Sequence, residues 1–326
     1  MSDAQQPLRT LFVGGPGRSG TTVVAQRLSE MEETVAFDGV ELKFFSEKNG
    51  LLDLWHSLVQ HYSPNRAVVA MRQFRQFTRE LIDGRFSQLG LSNLSSGDQW
   101  HALFDRFTAR LERNSHPELT SSEHFESAVR SLVIGLHQLA CAQTGSPSNP
   151  KIFIDNTPHT ILEADFLTRL IPDAAFLHVM RDPRSIAQSL RSMSWGPGSL
   201  EQCCVWIDNY CRAWVQRSSA MQADMRAIHI EDLAADPASV GDMVSNWLSI
   251  GDVGSYFAYT DSDTLNGWTS RASVDDLSLL NRRLAGWVEY FGYASDRIGL
   301  RPEGASRVLA DVAEPTLAVD TVAAAT

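Results

Sequence analysis

Lysine is nearly missing. Of the 28 basic residues only Lys43, Lys48 and Lys151 are lysines; the others are arginines. A bias in coding composition accounts for this more simply than a stability device does. Positive charge is also scarce: 39 acidic residues leave a net charge of −11 and a pI of about 5.3. General affinity for nucleic acid or an anionic membrane is therefore not expected, although a local cluster can still hold an anion. Cysteine is sparse too. Cys141, Cys203, Cys204 and Cys211 form no CxxC pair, so neither a zinc site nor a disulfide framework is expected. The last three fall on one predicted helix and read as buried thiols. No apolar run reaches the ~18 residues that span a bilayer. Met1–Thr10 is polar, without a basic stretch followed by an apolar one. The expectation is a cytoplasmic protein with no membrane span.

What is present reads as a globular chain of 326 residues, 43% hydrophobic and 21% charged. Short apolar runs at Leu11–Val13, Val35–Phe37, Ile152–Ile154, Ala174–Met180 and Ala227–Ile230 predict strands. Helical spacing is expected over Gly20–Glu30, Leu51–Arg113, His124–Ala142, Thr160–Leu170, Pro183–Arg191, Leu200–Met225, Pro237–Leu248 and Val274–Phe291. Gly145–Pro150 reads as a loop and 302–326 as a loose tail. Alternating strands and helices imply an α/β fold with a mainly parallel central sheet flanked by helices. Residues 50–145 form a helical insertion in a single domain over 1–301.

The sharpest segment is Gly14-Gly15-Pro16-Gly17-Arg18-Ser19-Gly20-Thr21-Thr22, between a predicted strand and helix. Glycines let backbone N–H groups approach an anion. The helix N-terminus adds positive potential, and Ser19, Thr21 and Thr22 add hydroxyls. From Gly15 the run reads G-x-x-x-x-G-T-T. An ATP-dependent P-loop enzyme has Lys where Thr21 stands. Here the basic residue is Arg18, three positions earlier.

The second motif follows the strand ending at Met180. Arg181 leaves the strand, and Ser189 lies eight residues on in the next helix. An Arg at a strand edge can fork onto a phosphate. Alone, Arg181 reads as an ion-pair partner of Asp182, and Ser189 as a small polar helix residue. Arg184 reads as solvated or as a minor contributor.

Together the two segments resemble the 5′-phosphosulfate and 3′-phosphate motifs of sulfotransferases that use 3′-phosphoadenosine 5′-phosphosulfate (PAPS). The protein-tyrosine and bacterial branches, whose loop is usually Pro-Arg-Ser-Gly-Thr-Thr, are most similar; Gly17 stands between Pro16 and Arg18 here. The resemblance implies a P-loop-like sulfotransferase fold. It implies PAPS held by Gly17, Arg18, Ser19, Gly20, Thr21, Thr22, Arg181 and Ser189, and a small-molecule hydroxyl, less readily an amine, as acceptor. Asp155-Asn156-Thr157-Pro158 resembles the family's Asp-Lys-Thr-Pro, with Asn156 in place of Lys; Thr157 reads equally as a helix cap. His159 reads as an acid or base, or as a surface histidine. Glu41, 23 residues after Arg18, is placed like the general base of the protein-tyrosine branch, with Asp38 and Glu47 as rivals. Glu231-Asp232-Leu233 is similar to a family strand-end motif whose Tyr is Ile230 here. The segment from Leu265 to Arg271 resembles the loop that closes over PAPS, with Trp268 against adenine and Arg271 on a phosphate. Arg18, the loop amides and the threonine hydroxyls would stabilise leaving-group charge, and no metal is required. A P-loop kinase using ATP and a non-catalytic nucleotide-binding protein are the rival readings.

Overall fold

The computed structural model describes residues 8–301 apart from 38, 86–89, 92–96, 114–120, 144–149, 259–264 and 266. Five strands, β1 (Arg9–Gly14), β2 (Thr34–Ala36), β3 (Ile152–Asp155), β4 (Ala175–Met180) and β5 (Asp224–His229), form one parallel sheet in the order β2-β3-β1-β4-β5. The expected α/β class holds. The chain leaves β1 toward β2 and leaves β4 toward β5, so the sheet's topology reverses between these two neighbours. That carboxyl-edge crevice is where open α/β sheets bind ligands.

Both faces of the sheet are covered, as parallel sheets require. Along β1 and β4 the side chains alternate. Leu11, Val13, Leu177 and Val179 face one core with Val24 and Leu28 of α1 (Thr21–Ser29). Phe12, Phe153 and Phe176 face the other, the larger core. The Phe12 ring stacks on Phe176 at 5.2 Å and meets the edge of Phe45 at 5.1 Å. The larger core also takes residues from α2 (Leu51–Trp55), α3 (Pro64–Ile82), α4 (Gly97–Arg113) and α5 (Ser122–Gln143), the helical stretch foreseen for 50–145.

The remaining helices are α6 (Ala164–Leu170), α7 (Pro183–Arg191), α8 (Leu200–Ser218), α9 (Ile230–Ala235), α10 (Pro237–Leu248), α11 (Val253–Phe257) and α12 (Val274–Tyr290). Side chains cap many of them: Ser63, Asp182, Ser199, Asp236 and Ser273 each accept an N–H of the first turn, and proline follows three of these caps. Cys203, Cys204 and Cys211 are buried along α8, as expected.

Three predicted boundaries shift. Helix α8 stops at Ser218, short of the expected Met225, which instead pairs with Phe176 in β5. β5 is an edge strand whose first four residues are not buried, so its apolar signal shows only at the end. Residues 158–163 form a 3₁₀ turn ahead of α6, where one helix was expected. Among the described residues no helix is long and apolar enough to cross a membrane. The 302–326 tail and most of the Gly145–Pro150 loop lie outside the described residues.

Candidate functional site

The glycine-rich loop joins β1 to α1 at the carboxyl edge. A side chain at Gly15 would put its Cβ 2.2 Å from the carbonyl oxygen of Val179, so only glycine lets β1 lie this close to β4. The Gly15 N–H donates to Pro158 O at 2.8 Å. Gly20 is left-handed, with φ 107°, and a Cβ there would come 3.0 Å from the Ile230 side chain. Ile230, where the family pattern has Tyr, is therefore the buried floor of the loop. Arg18 is also left-handed, with φ 74°. A non-glycine residue there stores roughly 1–3 kcal/mol of strain, which is kept where surrounding structure over-determines it. Helix α1 begins with no side-chain cap, leaving its first N–H groups open. Ser19 is fully buried and its Oγ has no partner among the described residues. Thr21 is buried and Thr22 exposed on the first turn.

The second motif meets the first. Exposed Arg18 donates Nε–H to Ser189 Oγ at 3.1 Å. Arg181, just past β4, donates from Nη1 to Arg18 O at 3.4 Å and from Nη2 to Leu265 O. Its Nε is buried and has no partner among the described residues. Burial lowers the Arg181 pKa; Glu231 and Tyr293 support its charge, and Arg18 opposes it. Two guanidiniums and a serine thus converge, with buried donors left over. Trp268 donates Nε1–H to Ser185 Oγ at 3.1 Å, one turn before Ser189 on α7. Arg271 ends a short 3₁₀ turn, and its side chain lies outside the described residues.

Arg184 corrects the sequence reading. It is 1% exposed, not solvated. It forks onto Asp182, Nε to Oδ1 at 3.0 Å and Nη2 to Oδ2 at 2.7 Å. It also donates to Asn281 Oδ1, Ser295 O and Ala294 O. Asp182 is thereby paired with Arg184 and not with Arg181. Arg184→Ala strands a buried carboxylate and four further acceptors, the fourth being Arg297 O, so a loss of about 3–5 kcal/mol is expected in urea unfolding. A loss under about 1 kcal/mol would contradict this account.

The candidate base lies at the same edge. Asp155 ends β3 opposite Phe12, and its Oδ1 accepts Leu42 N–H at 3.0 Å. Glu41 is the next residue back. Half-buried, it faces Lys43 Nζ at 3.8 Å. Burial raises its pKa, Lys43 partly offsets that, and Glu47 adds to it. Asp155 itself is raised to about 7, by burial against its hydrogen bonds. Thr157 donates its hydroxyl to Asp155 Oδ1 at 3.0 Å, so it does not cap the turn that follows. Asn156 is half-buried beside it. His159 packs 5.4 Å from the Trp206 ring and 5.9 Å from the Tyr210 ring. Its pKa is lowered by burial, with Glu47 opposing. Glu47 is exposed, and Asp38 lies outside the described residues.

Sequence reasoning missed the aromatic wall of the loop. A Cβ on Gly17 would sit 3.7 Å from Trp206 and 3.9 Å from Trp195, and Trp195 is 64% exposed. A tryptophan within Ser-Met-Ser-Trp-Gly-Pro-Gly, a loop composition, was the available signal. A groove of about 820 Å³ lies elsewhere, in the helical layer, with Tyr62, Met71, Arg72 and Arg79 in its wall; none of the site residues lines it.

Comparison with known proteins adds the family. A search of curated proteins finds no match. Among solved structures, the sulfotransferase STF9 from Mycobacterium avium is 13% identical, covering 90% of this chain and 79% of its own, with a TM-score of 0.43. The sulfotransferase domain from the curacin biosynthetic pathway is 13% identical over 89% of this chain and 99% of that one, TM-score 0.47. The sulfotransferase domain from the Synechococcus PCC 7002 olefin synthase is 14% identical over 86% and 96%, TM-score 0.45. The profile of the Sulfotransferase family matches residues 10–251, from β1 through α10. That span holds the glycine-rich loop, the Arg181–Ser189 turn and helix, and most of the 326 residues, and the chain belongs to the sulfotransferase family.

Proposed function

We propose that this chain moves a sulfuryl group from PAPS to a hydroxyl of a small-molecule acceptor. One observation carries the reading: Arg18, Arg181 and Ser189 converge at the carboxyl edge while Arg181 Nε and Ser19 Oγ stay buried without partners among the described residues. Leftover buried donors beside two cations fit a ligand with phosphates at both ends. Thr21, without the P-loop lysine, weighs against ATP.

In this reading Arg18, the amides of residues 17–20 and the hydroxyls of Ser19, Thr21 and Thr22 hold the 5′-phosphosulfate. Arg181 and Ser189 hold the 3′-phosphate. Trp268 covers the adenine, and Arg271 adds a contact from the same loop. Bound PAPS supplies the sulfuryl group. Glu41 accepts the proton that the acceptor hydroxyl loses, and His159 is the alternative acceptor. Arg18 offsets the charge that develops on the departing nucleotide. Residues 1–301 act as one unit, with 50–145 on the acceptor side.

The 3′-phosphate is the test. In calorimetry 3′-phosphoadenosine 5′-phosphate (PAP) should bind roughly ten- to a hundredfold more tightly than 5′-AMP, the worth of about 1.5–3 kcal/mol of charge-assisted contacts. Ser189→Ala should narrow the gap and Arg181→Ala should close it. Equal affinities in the parent chain would overturn the reading.

A further inference from the structure

Behind Arg181 lies a buried polar chain that the proposed reaction does not use. The register Met180↔His229 places the residues after β4 beside those after β5. Glu231, 7% exposed, thus comes level with Asp182. Its Oε1 accepts the Asp182 N–H at 3.0 Å, the amide immediately after Arg181. Its Oε2 accepts the Tyr293 hydroxyl at 2.8 Å, and that hydroxyl also meets His229 Nδ1 at 2.8 Å. Among the charges around it, Glu231 does most to support the Arg181 guanidinium, ahead of Asp182.

The rest of the turn is fixed from the other side. Asp182 spends its carboxylate on Arg184 and on the Gly299 N–H at 2.7 Å. The Arg181–Asp182 peptide is therefore gripped from β5 by Glu231, and Asp182's carboxylate is gripped by Arg184 and the segment after α12. A carboxylate buried here costs desolvation: burial raises its pKa to about 7. Packing alone would be served by an apolar side chain. Two directed hydrogen bonds at the root of one arginine serve aim.

We propose that Glu231 is a positioning residue of the nucleotide site: it holds the Asp182 amide and stands as counter-charge behind Arg181, so that the guanidinium is fixed toward the 3′-phosphate, with Tyr293 bracing the carboxylate. This rests on the function proposed above. It gives the Glu231-Asp232-Leu233 segment a role in the site as well as in the fold.

The experiment is calorimetry with PAP and with 5′-AMP, on the parent, Glu231→Ala, Glu231→Gln, Arg181→Ala and the Arg181→Ala/Glu231→Ala pair. Glu231→Ala should lower the PAP-to-AMP affinity ratio about tenfold, the worth of one charge-assisted contact, and leave 5′-AMP binding nearly unchanged. Glu231→Gln should recover part of the ratio: its Oε1 still accepts the Asp182 N–H and its amide can turn the Tyr293 hydroxyl toward His229, while the counter-charge behind Arg181 is lost. On the Arg181→Ala background Glu231→Ala should be silent, because a residue acting through another has nothing left to act on. A merely structural role would instead weaken both nucleotides alike and give no such silence. If Glu231→Ala fails to fold, Tyr293→Phe, which frees Oε2 and spares the Asp182 bond, should still lower the ratio. An unchanged ratio in every folded Glu231 and Tyr293 variant while Arg181→Ala still closes the gap, or an equal loss on both backgrounds, overturns this proposal alone. A parent chain that does not prefer PAP overturns it together with the function it rests on.

Discussion

Glu41→Gln should cut sulfuryl transfer by roughly 10²–10⁴, the usual worth of a general base, and leave PAP affinity almost unchanged. Gln keeps the shape and one acceptor oxygen but cannot take a proton at neutral pH. Leu42 is tied to Asp155, and Asp155 sits in register with β1 two residues before the glycine-rich loop begins. The pH dependence has a defined sign. Glu41 acts as the carboxylate, and burial raises its pKa. Turnover should therefore be low in acid, rise as pH climbs through that raised value, and level off above it. Lys43→Ala removes the opposing cation, so the acid limb should move to higher pH. Glu47→Gln and Asp38→Asn are the controls. Parent-like turnover in Glu41→Gln alongside collapse of a control would reassign the base, and indifference of all three would pass the role to His159.

Arg18→Ala should lower turnover by about 10²–10³ at saturating nucleotide, the range for removing one preorganised donor from developing charge. Affinity for PAP should fall less, because Arg181 and the loop amides remain. Arg18→Lys should keep part of the rate, as charge survives and the fork is lost. The backbone supports this assignment independently. Arg18 is held at φ 74°, a conformation that favours glycine. Arg18→Gly should therefore match or exceed the parent in thermal stability, by up to about 1 kcal/mol, while losing turnover like the alanine variant. A variant that binds PAP poorly yet turns over normally at saturation would limit Arg18 to binding.

How much of this was legible in the sequence depended on local punctuation. Gly14–Thr22 announced a strand, an anion loop and a helix, because glycine and helix-opening hydroxyls carry backbone meaning. Met180-Arg181-Asp182-Pro183 announced a strand end and a helix starting at proline, and α7 has the predicted bounds. Legibility ended where a residue's role is set by distant chain. Arg184 looks like any basic residue in a first turn; its acceptors at Asn281, Ala294 and Ser295 come from 97 or more residues downstream. Asp155 ties down the Glu41 segment across 113 residues. The edge strand β5 hid because four of its six residues are not buried, so alternation was faint. The Ile230 departure from the family pattern reads only in three dimensions, as the side chain that a Cβ on Gly20 would meet.

Transfer itself is the most direct measurement. The full chain would be incubated with PAPS carrying labelled sulfur and a hydroxyl-rich metabolite extract, without added metal, alongside Arg18→Ala and Glu41→Gln. The account predicts label on an acceptor with PAP released in equal amount, and loss of that transfer in both variants. No labelled acceptor from any fraction despite tight PAP binding would contradict it and leave a nucleotide-binding protein. Transfer from ATP that depends on Mg²⁺ would contradict it in favour of a kinase.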